Sequence, residues 1–238
     1  MISRAKSGRM IVTIHQPNYL PYLGFFHKMA NADVLVLYDT AQYSKQLGFH
    51  NRNRIKTPQG AQWLTVPVQH STLRALRDVQ IVDGPWALRH RQALDANYRR
   101  APCYASYEKE IHAVLEKPWT SLADLNEALI ALVARWLSIR TKIVHASELP
   151  APQTEDATAK NIHMVRSLGG DTYLSGQGGH DYLDESQFTD VRLVYDAFTP
   201  TPYPQLFGEF IPNLAAIDAV FNCGESIKLR KMFGDASR

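Results

Sequence analysis

Cysteine is scarce in this chain: 238 residues contain two, Cys103 and Cys223. Two are too few for a disulfide framework and match no metal-ligand spacing, so reduced thiols and a cytoplasmic location are expected. An excess of charge of one sign is also lacking. The net charge is +3, and no overall field singles out DNA or a membrane surface as a partner. No run of about 18 apolar residues occurs, so no membrane span is expected. The opening MISRAKSGR is basic without an apolar stretch behind it, which reads as a flexible extension over residues 1–9 rather than a signal peptide. Internal repeats, low-complexity tracts, a G-x-G-x-x-G run and a Walker A loop are all missing. No Cys, His and Asp pattern has metal-ligand spacing, so no protein-held metal is expected.

What remains is ordinary for a soluble globular protein, at 45% hydrophobic and 21% charged residues. The length suits a single α/β domain over 10–238, with a helical block at about 85–137.

The stretch MIVTIHQPNYLPYLGFFHKM (10–29) organises the rest. Ile11 to Ile14 read as a buried strand, which Pro17 and Pro21 prevent from continuing. Pro21 suits the first position of a helix, and Leu23, Phe26, His27 and Ala30 follow at helical spacing. His15, Gln16, Asn18 and Tyr19 therefore occupy a tight crossover between strand and helix. In an open α/β sheet that is the carboxyl-end crevice where ligands bind. The alternative is that His15 and Asn18 only cap the helix or satisfy buried backbone groups.

A second strand follows at 34–37, giving a right-handed βαβ unit with parallel pairing. Residues 62–68 form a strand, hairpin-paired with part of 50–57 through Pro58-Gln59-Gly60, and one more strand is expected at 79–82. Helices are expected from Pro85, at 104–116, 121–137, 156–168 and 212–222. Ser121 with Asp124 makes a start like a capping box. Further strands lie at 142–146, 171–174 and 192–195. The sum is a mainly parallel, Rossmann-like sheet flanked by helices, with a helical insertion.

Three loops then follow strands and would meet at one sheet edge. The first supplies His15, Gln16, Asn18 and Tyr19. The second supplies Asp39, Gln42, Lys45, Arg52, Asn53 and Arg54. The third supplies Ser175, Gly176, Gly178, Gly179, His180, Asp181 and Asp184. The glycines let a ligand approach the main chain, where amide groups can hold an anion. Lys45, Arg52 and Arg54 suit phosphate, while Lys56 reads as part of a solvated face. Arg52 and Arg54 share strand parity and so one face. His15 and His180 are candidate acid–base groups, or phosphate partners when cationic. Together these features point to a phosphate-bearing small molecule, a nucleotide or nucleotide sugar.

The run IHQPNYLPYLGFFHKM resembles the opening of the WbqC-like family, bacterial proteins of surface-polysaccharide (O-antigen) assembly. The resemblance extends through DVLVLYDTAQYSK (33–45), NRNRIKTPQGAQWLTVPV (51–68), DTYLSGQGGHDYLDESQF (171–188) and GEFIPNLAAIDAVFNCG (208–224). It implies a transferase that delivers a small acyl or aminoacyl group, such as glycine, to a nucleotide-linked amino sugar. The strand, His loop and helix also look like the nucleotidyltransferase superfamily, which implies ATP and Mg²⁺ as cofactors. In that family's H-x-G-H motif only His15 is matched; Pro17 and Asn18 replace the Gly and the second His. A non-catalytic nucleotide-sugar-binding module is the third reading.

Overall fold

The structure, a computed structural model, describes residues 9–44, 48–69, 74–224 and 227. Most of the expected extension at 1–9, and Lys45, lie outside them.

β-Branched and aliphatic runs make the sheet. Strands β1 (Ile11–His15), β2 (Val34–Leu37), β5 (Lys142–His145), β6 (Thr172–Ser175) and β7 (Arg192–Tyr195) pair in the order β5-β2-β1-β6-β7. Every pairing is parallel, with Val12 opposite Val34 and Ile11 opposite Thr172. The chain moves outward from β1 through β2 to β5, then returns to the other side of β1 for β6 and β7. The order therefore reverses between β1 and β6, and the connections leaving those two strands diverge. This is the α/β, Rossmann-like arrangement expected.

A separate antiparallel hairpin joins β3 (Arg52–Thr57) to β4 (Gly60–Thr65). Helix α1 (Leu23–Ala30) crosses from β1 to β2. Helices α2 (Trp86–Tyr98), α3 (Tyr104–Leu115) and α4 (Leu122–Trp136) run consecutively, followed by α5 (Ala157–Ser167) and α6 (Ala216–Cys223). Side-chain alternation along the sheet feeds two cores. Leu35 and Leu37 pack with α1, the hairpin, α2 to α4 and α6. Val12, Ile14, Val34 and Val36 pack on the opposite face with Ile162 and Val165 of α5. At the start of α4, Ser121 Oγ accepts the Asp124 N–H, one half of a capping box.

Three expectations need correction. Pro21 does not open α1, because Tyr22 is still extended and bridges Ala215. The same bridge, with Ala215 N–H bonded to Arg54 O and Ala216 N–H to Pro21 O, delays α6 to residue 216. Residues 79–82 form only isolated bridges, Gln80 to Ser121 and Ile81 to Val68, after a 3₁₀ turn at Leu76–Asp78. No helix of the described residues is long and apolar enough to cross a membrane.

Candidate functional site

The crossover after β1 is held from beneath. Asn126 of α4, fully buried, donates from its side-chain amide to Pro17 O at 3.0 Å and His50 O at 2.7 Å. Tyr19 N–H bonds Phe49 O at 2.9 Å, and the buried Tyr19 hydroxyl lies 2.8 Å from His90 Nδ1 on α2. These bonds fix the path of a segment whose prolines exclude regular structure.

Above it, where β1 and β6 part, lies a cleft of about 830 Å³. His15, Gln16, Lys28, Ser175, Gly176, Gly178, Gly179 and Asp181 line it, with Tyr22, Tyr38, Lys160 and Asp196. His15 Nδ1 sits 2.8 Å from Gln16 O. A carbonyl only accepts, so this nitrogen carries the proton and Nε2 keeps its lone pair. The ring, edge-on to Phe25 at 4.8 Å, is partly exposed to the cleft yet enclosed by protein. Burial, then the neighbouring Lys28 charge, lowers its pKa to about 3. With no anion beside it, His15 is therefore neutral near pH 7.

Lys28 projects from α1 to the floor of the cleft and is 5% exposed. Its Nζ donates to Ile14 O at 3.0 Å. A Cβ added to Gly176 would lie 3.8 Å from that Nζ, so the ammonium stands beside the backbone leaving β6. Burial lowers the Lys28 pKa to about 8, against a counteracting pull from Asp196. Asp196 is engaged elsewhere, its Oδ1 being 2.7 Å from Nδ1 of buried His27. Lys160 at the rim is paired with Glu155 at 2.7 Å. Among the described residues, no carboxylate forms an ion pair with Lys28.

The glycine segment is a 3₁₀ turn, Gln177–Asp181. A Cβ on Gly179 would strike Ser175 Oγ at 2.2 Å, so this glycine permits close packing. Gly178 faces open space. The Gln177 side-chain amide donates to Asp196 O and ties the turn to β7.

Other sequence candidates lie elsewhere. His180 is exposed and stacks on Tyr195 with ring centroids 3.5 Å apart, outside the cleft lining. Asp184 caps a short turn through Ser186 N–H at 3.0 Å. Asp39 accepts from Ser147 N–H at 2.9 Å, and Gln42 bridges Ala75. Asn53 donates to Leu20 O at 2.6 Å; Asn18 is half-buried outside the lining. Arg52 and Arg54 flank Trp63 on the hairpin, away from the cleft. Lys56, expected in solvent, is 1% exposed and donates to Gln205 Oε1 at 3.0 Å and to Glu209 O. Among the described residues no group of three or more His, Cys, Asp or Glu is placed to hold a metal.

Sequence reading missed Lys28 and Lys160. Lys28 follows Phe25 by three positions and shares its helical face, a spacing that marks it as enclosed but not as part of a cleft.

Residues 16–228 match the WbqC-like protein family. An uncharacterized protein of Mycobacterium tuberculosis, Rv1507c, is 33% identical over 225 residues, covering 90% of this chain and 94% of that protein. No solved structure matches. The family match takes in the crossover, the hairpin, the glycine turn and α6, and on that extent the chain belongs to the WbqC-like protein family.

Proposed function

We propose that the cleft binds a phosphate-bearing nucleotide or nucleotide sugar, and that the protein is a cytoplasmic transferase of surface-polysaccharide precursor synthesis. It would deliver a small acyl or aminoacyl group, such as glycine, to the amine of a nucleotide-linked sugar. The Lys28 ammonium carries the binding half of this reading. A buried cation without a paired carboxylate is costly alone and is stabilised by an anion that enters beside it. The bare backbone at Gly176 and Gly178 leaves room for phosphate oxygens there. The pathway and the transferred group rest on family membership.

In such a transfer the sugar amine attacks the acyl carbonyl carbon, the C–N bond forms, the bond to the leaving group breaks and one amine proton departs. His15 Nε2, facing the cleft, would receive that proton once a bound anion offsets the burial that holds its pKa down. Bound phosphate would raise the His15 and Lys28 pKa values, because negative charge favours both cations. An ATP-using adenylylating enzyme is the second reading, favoured by the reversal of strand order between β1 and β6.

A mass-spectrometric screen of nucleotide sugars with glycine, ATP or glycyl-tRNA tests the reaction and separates the two readings by their ATP and Mg²⁺ requirement. Calorimetric titration tests the binding. Affinity should fall about tenfold or more in Lys28→Met, the scale of a lost hydrogen bond to a charged group. It should also weaken as pH rises past the Lys28 pKa of about 8, since the anion binds the protonated amine. Wild-type affinity in Lys28→Met, or no nucleotide affinity at low salt, would remove this reading.

A further inference from the structure

The β3–β4 hairpin presents two unlike faces. Ile55 and Leu64 point into the core and are 0% and 3% exposed. Arg52, Arg54 and Trp63 share the other face, since Arg54 pairs directly with Trp63 across the ladder. The Arg52 and Arg54 guanidinium carbons lie 4.8 and 5.6 Å from the Trp63 ring centroid. Phe49 stands 5.9 Å from the same ring at a shallow 30° angle. Trp63 is 45% exposed and Phe49 40%, so two large aromatic rings stand open to solvent side by side.

The charge beside them is not neutralised by any ion pair among the described residues, and Arg54 Nε is buried without a hydrogen-bond partner. Arg54 makes one long contact, from Nη2 to Asn213 O at 3.5 Å. None of these four residues lines the cleft.

We propose that this face of the hairpin is a second binding site, separate from the cleft, that stacks a nucleobase on Trp63 and Phe49 and pairs its phosphate with Arg52 and Arg54. Exposed π-faces accept any base, and guanidinium forks match phosphate oxygens. Two sources present this chemistry: a free mononucleotide and a single-stranded RNA. The inference does not depend on the reading of the cleft.

The test uses the full chain carrying Lys28→Met, so that binding in the cleft is weakened, and the Trp63 and arginine variants are read against that parent. A fluorescein-labelled oligoadenylate is titrated by anisotropy, with AMP and dextran sulfate as competitors. Trp63→Leu should weaken binding about tenfold, within the range for a lost base stack, and Trp63→Phe should restore most of it. Arg52→Gln with Arg54→Gln should make the log affinity against log salt slope shallower by about 1.4, the value for two phosphate contacts on a single strand. Displacement by AMP would identify a free nucleotide as the ligand, and its failure to displace a bound oligomer would identify RNA; either result supports the site. Absence of binding, or parental affinity in the Trp63→Leu and double arginine variants, would overturn it. So would displacement by dextran sulfate with Trp63→Leu unchanged, which would mean charge alone.

Discussion

At the scale of single residues, Asn126 shows how a position outside the cleft lining sets its geometry. Its amide satisfies the Pro17 and His50 carbonyls at once, 109 and 76 residues away in the chain. Its own Oδ1 is buried without a partner, so the side chain serves as a double donor. Asn126→Leu should therefore destabilise the protein by about 1–3 kcal/mol, the cost of stranding buried carbonyls, partly offset by removal of the orphaned oxygen. Urea unfolding should show a lower midpoint with an unchanged slope. A midpoint equal to wild type would mean the two carbonyls find other donors. Tyr19 and Asp39 show the same economy of polar groups: each bonds to a residue 71 or 108 positions away, not to the cleft.

At the scale of elements, Gly24 in α1 ties the helix to the mouth of the cleft. A Cβ there would come within 2.3 Å of the Tyr22 ring and 2.8 Å of Phe198. Both rings line the cleft, and they pack edge to face on each other. Gly24→Ala gains helix propensity of about 1 kcal/mol, which sets the stability near wild type, while the displaced rings narrow the opening. Nucleotide affinity should drop with little change in melting temperature; unchanged affinity would show that the rings move away from the ligand path. Elements of this kind were legible in the sequence where local pattern decides them. The β-branched run gave β1, an apolar core gave β2, the Pro58-Gln59-Gly60 turn gave the hairpin, strand parity gave the shared face of Arg52 and Arg54, and apolar periodicity gave α4. The starts of α1 and α6 were not legible, because the Tyr22–Ala215 bridge that keeps both extended joins residues far apart in sequence. For the same reason His15 and the glycine turn could be named from their chemistry, whereas the partition of cations could not. Lys28 enters the cleft from a helix face that reads as core, and Arg52 and Arg54 leave it because the hairpin folds as a separate sheet.

At the scale of the whole molecule, three enclosed histidines link stability to pH. Burial is the leading cause in each: it lowers the pKa of His15 to about 3, and of His50 and His90 to about 4. An unfolded histidine titrates near 6.5. Between that value and the folded ones, the unfolded chain binds more protons than the native protein, so stability rises with pH there and is lost on acidification. His145 works in the opposite sense: burial opposes its charge, but the Glu127 and Glu148 carboxylates outweigh it and raise the pKa. Asp218 also runs against the trend, since burial raises its pKa and protonation relieves it. Three depressed histidines against these two groups set the sign. The melting temperature should fall steadily as pH is lowered from about 6.5 toward 4, before most exposed carboxylates titrate. His90→Phe loses the bond to Tyr19 and should melt lower at neutral pH, but its dependence on pH over that window should be shallower than wild type. A melting temperature flat between those limits, or a variant with the full wild-type slope, would show that the histidines gain protons without opening the fold.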